Sequence, residues 1–151
     1  MTEHRYHVDG HSTAPPEVVF EVLVDGPGWA RWAPGLRHAT YECEGVPAPH
    51  GVGAIRRFGA GFGPVSREQV VAYEPPTFFA YRSLSGPLPW KGYLAEVRLA
   101  PDTAGTGTTI EWSGSFRSRV PVLGIFIHRM VSGFAKGLVA ESERRAGSPP
   151  R

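Results

Sequence analysis

The chain has 151 residues, 41% of them hydrophobic and 20% charged, with 19 glycines, 15 prolines and one cysteine. This length suits one domain of the common size, about 100 to 150 residues, and a single thiol excludes an internal disulfide framework. With 16 lysines and arginines against 14 aspartates and glutamates, the net charge of +2 is too small to predict a nucleic-acid partner.

The first part of the chain predicts one strand followed by two short helices. Residues 4–11 alternate loosely between apolar and polar side chains, which indicates a strand with a solvated face. Two prolines then precede an apolar segment that ends near Leu23, which is typical of a helix start. A second short helix is expected to carry Trp29 and Trp32.

From Leu36 the apolar pattern has a period of two, in segments of strand length that are separated by turn residues. These segments predict six consecutive strands: residues 36–44, 51–58, 65–73, 78–84, 93–99 and 108–116. Short turns between consecutive strands favour an antiparallel meander, since a parallel pair needs a long crossover.

The last predicted element is a helix over residues 121–143, with apolar side chains at steps of three and four. It is long enough to cover the apolar face of a single sheet. We therefore expect an α+β fold, in which a curved antiparallel sheet of six or seven strands wraps around the long C-terminal helix and leaves a cavity between them. Residues 1–146 form one expected domain, and residues 147–151 an expected frayed tail.

Several local patterns accompany this order of elements. They are Ala14–Phe20 running into Asp25, Trp32–Pro34, Gly51–Arg56, Tyr73–Pro76 followed by Tyr81, and Pro101–Thr108 leading into Trp112. Together with the closing amphipathic helix, they resemble the helix-grip proteins of the START-like (SRPBCC) superfamily, and within it the polyketide cyclase/dehydrase-type branch. The resemblance implies a helix-grip fold whose apolar cavity accepts lipids, sterols, polyketides or hormones, with catalytic residues that vary between branches.

Aromatic residues supply the main evidence for a ligand site, because the chain has eight Phe, five Tyr and four Trp. Amphipathic aromatics on one concave face favour a ligand pocket over a purely dry core. Two apolar turns, 59–64 and 86–90, are candidates for its rim. The expected ligand-binding residues are Phe62, Phe79, Tyr81, Trp90, Tyr93, Trp112, Phe116, Ile127, Met130 and Phe134.

Candidate catalytic groups are fewer. Strand alternation places only one of Arg56 and Arg57 inside, where a guanidinium would hold a carbonyl or enolate oxygen, as aldol cyclisation requires. The alternative is an outward arginine paired with Glu68 or Glu96. The catalytic candidates are Arg57, Tyr81, Tyr93 and His128.

Six histidines and one cysteine show none of the spacings of a metal site, so we expect no metal and no cofactor.

The start of the last helix is apolar on nearly all sides: Ile125 points away from Leu123 and Ile127. This feature fits contact with a loop, a dimer interface or transient membrane contact. Gly133 and Gly137 predict either close approach to the sheet or cavity space beside Met130 and Phe134.

The leading hypothesis is therefore binding of a small hydrophobic ligand, such as a lipid or a polyketide-like molecule, by a monomer or homodimer. The alternative is a polyketide cyclase or aromatase acting on a poly-keto chain, and a third possibility is an interaction module. No run approaches the roughly 18 apolar residues of a membrane span, and the polar N-terminus lacks the order of a signal peptide. We expect a cytoplasmic protein without stable membrane insertion, with lipid transport as a possible role.

Overall fold

The computed structural model describes residues 1–147, which form seven strands and three helices. In chain order they are β1 (Thr2–Ser12), α1 (Pro16–Val24), α2 (Trp29–Trp32), β2 (His38–Cys43), β3 (Ile55–Gly59), β4 (Ser66–Glu74), β5 (Phe78–Ser85), β6 (Lys91–Pro101), β7 (Thr108–Ser118) and α3 (Leu123–Gly147). The predicted element order is confirmed. The segment 51–54 belongs to the loop before β3 instead of the strand, and α3 extends to Gly147. The remaining four residues of the expected tail lie outside the described residues.

All seven strands belong to one antiparallel sheet in the order β1-β7-β6-β5-β4-β3-β2. β2 to β7 follow one another as a meander because each pair is joined by a short turn. β1 pairs with β7, since α1 and α2 carry the chain across the sheet before β2 begins. β1 and β2 are therefore the two edge strands of the sheet.

Helix α3 lies along the concave face of the sheet and packs against β1 and β7. Its inward residues recur at steps of three and four, because that spacing returns a side chain to the same face of a helix. Those fully or nearly fully buried are Leu123, Ile127, Val131, Phe134, Ala135 and Leu138.

The strands supply the other side of the core by alternation. In β7, for example, Ile110, Trp112 and Phe116 are 0–2% exposed, whereas Glu111 between them is exposed. Among the described residues, α3 is the one helix whose length and composition would suffice to cross a membrane. A core helix meets the same condition, and the inward face of α3 is packed on the sheet.

Candidate functional site

The central feature of the concave face is a buried arginine on β3. Arg56 and Phe58 lie two residues apart on this strand, so both side chains point to the same face of the sheet. Their exposed fractions are 0% and 5%. Gly26, which follows α1, leaves room for the arginine, because a Cβ at this position would lie 2.7 Å from the Arg56 Cγ.

The Arg56 guanidinium is held by one carboxylate and four aromatic rings. Its Nη2 donates to Glu68 Oε1 at 3.1 Å across the β3–β4 pair, where Arg56 and Glu68 are direct partners. The guanidinium carbon also lies within 4.9–5.3 Å of the centres of four rings, those of Trp29, Phe58, Phe79 and Tyr81. Rings at this distance attract a cation through their electron-rich faces.

Two donors of this guanidinium remain without an acceptor. The Arg56 Nε and Nη1 are buried and have no hydrogen-bond partner among residues 1–147. A buried donor that is left unpaired costs about 1 to 3 kcal/mol, and more when the group is charged. The site thus presents two donor nitrogens, with three N–H bonds between them, that acceptor oxygens would satisfy.

Burial raises the pKa of several groups around Arg56. It raises the pKa of the Glu68 carboxyl, although the Arg56 guanidinium beside it opposes this shift. Burial also raises the pKa of Tyr81 and of Tyr93 well above the ordinary value of 10. Both phenols are therefore protonated at neutral pH and keep a hydrogen to donate, and the Tyr93 oxygen lies 2.5 Å from the Tyr6 oxygen.

Most of the predicted ligand-binding residues come together between the sheet and α3. Phe79, Tyr81, Tyr93, Trp112, Phe116, Ile127 and Phe134 are each at most 9% exposed, and Trp90 and Met130 are half-buried beside them. Their rings contact one another: the centres of Tyr81 and Tyr93 lie 6.4 Å apart and those of Trp112 and Phe134 6.3 Å apart. The expected lining residues therefore pack ring against ring.

The loop between β5 and β6 covers one end of these rings. Trp90 in this loop stacks on Tyr93, with 4.2 Å between ring centres, and its Nε1 donates to the Ser83 hydroxyl at 3.4 Å. A groove of about 350 Å³ beside the loop has Trp90, Tyr93 and Leu88 in its wall. This volume is at the small end of ligand sites, about 300 to 1,000 Å³.

Three predicted site residues lie outside this assembly. Phe62 is 84% exposed on the β3–β4 loop. Arg57 alternates with Arg56 and so faces outward, where it pairs with Glu42 at 3.3 Å. His128 is exposed, since it follows the inward Ile127 by one step of about 100° around α3. The expected roles of these three residues at the interior site are corrected accordingly.

A second groove, of about 740 Å³, lies between α1, the β2–β3 loop and the β4–β5 turn. It is lined by Glu17, Phe20, Glu21, Val24, Asp25, His50, Tyr73, Pro75, Pro76 and Arg145, and by none of the predicted ligand-binding residues.

Within residues 1–147, one group of side chains has the atoms to hold a metal ion, and it is formed by His7, Asp9 and Glu111. All three side chains are exposed, as in ordinary surface clusters.

The sequence reasoning did not assign Trp29, Phe58, Glu68 and Tyr6 to the site. Trp29 is 2% exposed and contacts the rings of Phe58, Tyr81, Trp112 and Phe134 at 5.2–6.2 Å between centres. For Glu68 a signal was present: it alternates in phase with the buried Val70 on β4. For Trp29 no periodic signal was available, because α2 is a single turn.

Comparison with known proteins decides the family. Residues 3–145 match the family described as polyketide cyclase/dehydrase and lipid transport. The chain belongs to this family. The resemblance seen in the sequence is thus confirmed, and members of this polyketide cyclase/dehydrase and lipid-transport family generally bind small hydrophobic ligands.

Solved structures of similar fold include the Zhui aromatase/cyclase and Ara h 8.0201. The Zhui aromatase/cyclase from Streptomyces sp. R1128 superposes with a TM-score of 0.81 at 20% identity, over 98% of this chain and 100% of that one. Ara h 8.0201 gives a TM-score of 0.75 at 17% identity, over 93% and 98%. These superpositions establish the helix-grip fold of this family member. At such low identities they show the fold alone, and its activity has to be argued from its own site.

A curated relative is an uncharacterized protein of Mycobacterium tuberculosis, 37% identical over 67 residues. The match covers 44% of this chain and 38% of the relative, so the chain spans well under half of the relative's length.

Proposed function

We propose that this protein binds one small apolar molecule that carries a hydrogen-bond-accepting oxygen, between the sheet and α3. The observation that carries the proposal is the Arg56 guanidinium, which is fully buried and has two donor nitrogens, Nε and Nη1, without a partner among residues 1–147. A fixed cation with free donors inside an aromatic interior matches a carbonyl, carboxylate or enolate oxygen on an otherwise apolar ligand.

The aromatic rings would form the apolar part of this site. Phe79, Tyr81 and Trp29 already surround the guanidinium, and Trp112 and Phe134 extend the surface toward α3. Because these rings now contact one another, a ligand has to displace some of them on entry. The Trp90 loop is the natural element to move, since it is half-buried and borders the groove at the end of the rings.

The polar anchor can be tested with a probe that combines an apolar body with acceptor oxygens, the dye 1-anilinonaphthalene-8-sulfonate. We expect the natural protein to bind it with saturable fluorescence. Replacing the buried pair together, Arg56→Met with Glu68→Met, keeps the interior apolar and removes the donors, so affinity should fall about 10-fold to 100-fold, the loss expected for a hydrogen bond to a charged group.

The matched control is Arg57→Met, which removes a neighbouring but outward arginine and should change the affinity by less than about twofold. Equal affinity in all three proteins would contradict the proposal. Native mass spectrometry of protein purified from its own host supplies an independent measurement, because a bound apolar molecule would appear as a mass increment that the double variant lacks.

A polyketide cyclase-type activity is the second candidate, favoured by the titratable groups that surround Arg56. The guanidinium would stabilise an enolate oxygen, and the protonated phenols of Tyr81 and Tyr93 would donate a proton to the alkoxide formed by ring closure. An aromatic-terminated poly-β-ketone is the test substrate. The enzyme is supported if the natural protein and Arg57→Met turn this substrate over and the Arg56→Met/Glu68→Met variant does not. Binding of the substrate without turnover would indicate a binding protein instead.

A further inference from the structure

Most of the exposed apolar side chains lie at one terminal edge of the sheet, which here means the side where strands begin or end and not the edge strands β1 and β2. Because neighbouring strands are antiparallel, β3, β5 and β7 all end at the same edge, where β1 also begins. Helix α3 starts from this edge directly after β7. The loop that carries Trp90 connects β5 to β6 here, so the edge also adjoins the groove at the end of the aromatic rings.

Nine large hydrophobic side chains are exposed among residues 1–147, and six of them lie at this edge. We call these six the apolar edge: Met1, Phe62, Leu84, Val122, Ile125 and Phe126. Val122, Ile125 and Phe126 are 54–66% exposed at the start of α3, although Leu123, which lies between them, and Ile127, which follows them, are buried. The start of α3 is therefore apolar on its outer face as well as on its inner one.

Positive charge accompanies the apolar edge. Between Glu111 and Glu141 the chain carries four cationic residues and no acidic one. Two of them, Arg119 and Arg129, are exposed directly before and one turn after the exposed apolar residues of α3. Neither forms a salt bridge with any of residues 1–147. The acid at this edge, Glu3, is already paired with Arg5 at 3.1 Å.

We propose that the apolar edge docks on the surface of a bilayer that contains anionic phospholipids. The side chains of Ile125 and Phe126 would enter the boundary between headgroups and acyl chains, while Arg119 and Arg129 lie at the level of the phosphates. A second copy of the chain fits the edge less well. A two-fold contact centred here would bring the same unpaired arginines of both copies together.

This inference goes beyond the proposed ligand site and does not depend on it, because the docking residues point away from the aromatic rings. The two are nevertheless adjacent. Ile127, one residue after Phe126, is fully buried on the inner side of α3. Docking would place the Trp90 loop and the start of α3 at a source of apolar molecules.

The test is co-sedimentation of the full chain with two kinds of vesicle, one of phosphatidylcholine alone and one in which about a third of the lipid is phosphatidylglycerol. We expect binding to the anionic vesicles, weak binding to the neutral ones, and release as salt is raised from about 0.05 to about 0.5 M, because screening shortens the reach of the arginines. Equal binding to both vesicles, or to neither, overturns the proposal.

Variants locate the surface. Ile125→Ser with Phe126→Ser should weaken binding at least about tenfold, and Arg129→Gln about fivefold, the share of one surface cation. The matched controls are Val46→Ser, 80% exposed at the opposite edge, and Arg98→Gln, whose side chain is 61% exposed on β6. They should leave binding unchanged.

Because all of the substituted side chains are exposed, unchanged melting temperatures would confirm that each variant is folded. Vesicle binding that survives the serine pair overturns the proposal. So does a dimer in sedimentation velocity that the serine pair splits, combined with absent vesicle binding, because the edge would then be a contact between two copies.

Discussion

Replacing Arg56 by methionine should lower the free energy of unfolding by about 3 to 5 kcal/mol, the usual cost of removing one partner from a buried ion pair. The substitution leaves the Glu68 carboxyl, with its side chain 14% exposed, without its cation. It also removes the cation that lies among four aromatic rings and is attracted by their faces. Urea unfolding followed by circular dichroism measures the change.

The loss should be recovered when both partners are replaced. Arg56→Met with Glu68→Met removes the buried charges together and fills the site with apolar side chains, an exchange that is often neutral or stabilising by about 1 to 4 kcal/mol. The outward arginine is the control: Arg57→Met breaks an exposed pair with Glu42 and should cost less than about 1 kcal/mol. A double variant as unstable as Arg56→Met would show that the arginine stabilises the fold through more than its carboxylate.

The single variant should also respond to pH. Burial holds the pKa of Glu68 above its ordinary value in the folded chain, so its contribution to stability is present below the pKa of the unfolded carboxyl and is lost as pH rises through the folded pKa. Without Arg56 the opposing attraction disappears and the folded pKa rises further. The stability deficit of Arg56→Met should therefore be larger at about pH 7 than at about pH 4.5.

The orientation of Arg56 shows how far the sequence could lead. Element order and apolar period were sufficient for the strands, the long helix and the helix-grip fold, because each depends on a repeating pattern. Choosing between Arg56 and Arg57 required the phase of one five-residue strand beside glycines. Phe58 supplied that phase, since it is buried and lies two residues after Arg56.

The state of the interior could not be predicted in the same way. Alternation indicates which side chains face α3, and it correctly grouped Tyr81, Tyr93 and Trp112, but it does not determine whether their rings leave a void or meet. That outcome depends on Trp29, which a single-turn helix inserts among them. The inward position of Glu68 could not be predicted from the general exposure of charged residues, because its partner, Arg56, is contributed by the neighbouring strand.

The two glycines of α3 should respond to alanine with opposite signs. At Gly133 an added Cβ would lie 3.6 Å from the Pro34 Cγ, an ordinary contact. Alanine there should raise the free energy of unfolding by about 0.4 to 1 kcal/mol, because it restricts the unfolded chain and favours the helix. At Gly137 the Cβ would lie 2.5 Å from the Trp32 carbonyl oxygen, so the close approach that requires glycine is to α2 and not to the sheet.

Alanine at Gly137 should therefore lower the free energy of unfolding by about 1 to 3 kcal/mol, since a backbone oxygen cannot rotate away and α2 has to shift. Because α2 also carries Trp29, the shift should disturb the rings around Arg56 and weaken binding of 1-anilinonaphthalene-8-sulfonate, whereas Gly133→Ala leaves it unchanged. Paired urea titrations and dye titrations measure both effects. Equal stability of the two variants would mean that α2 yields without cost, and then its position would not depend on Gly137.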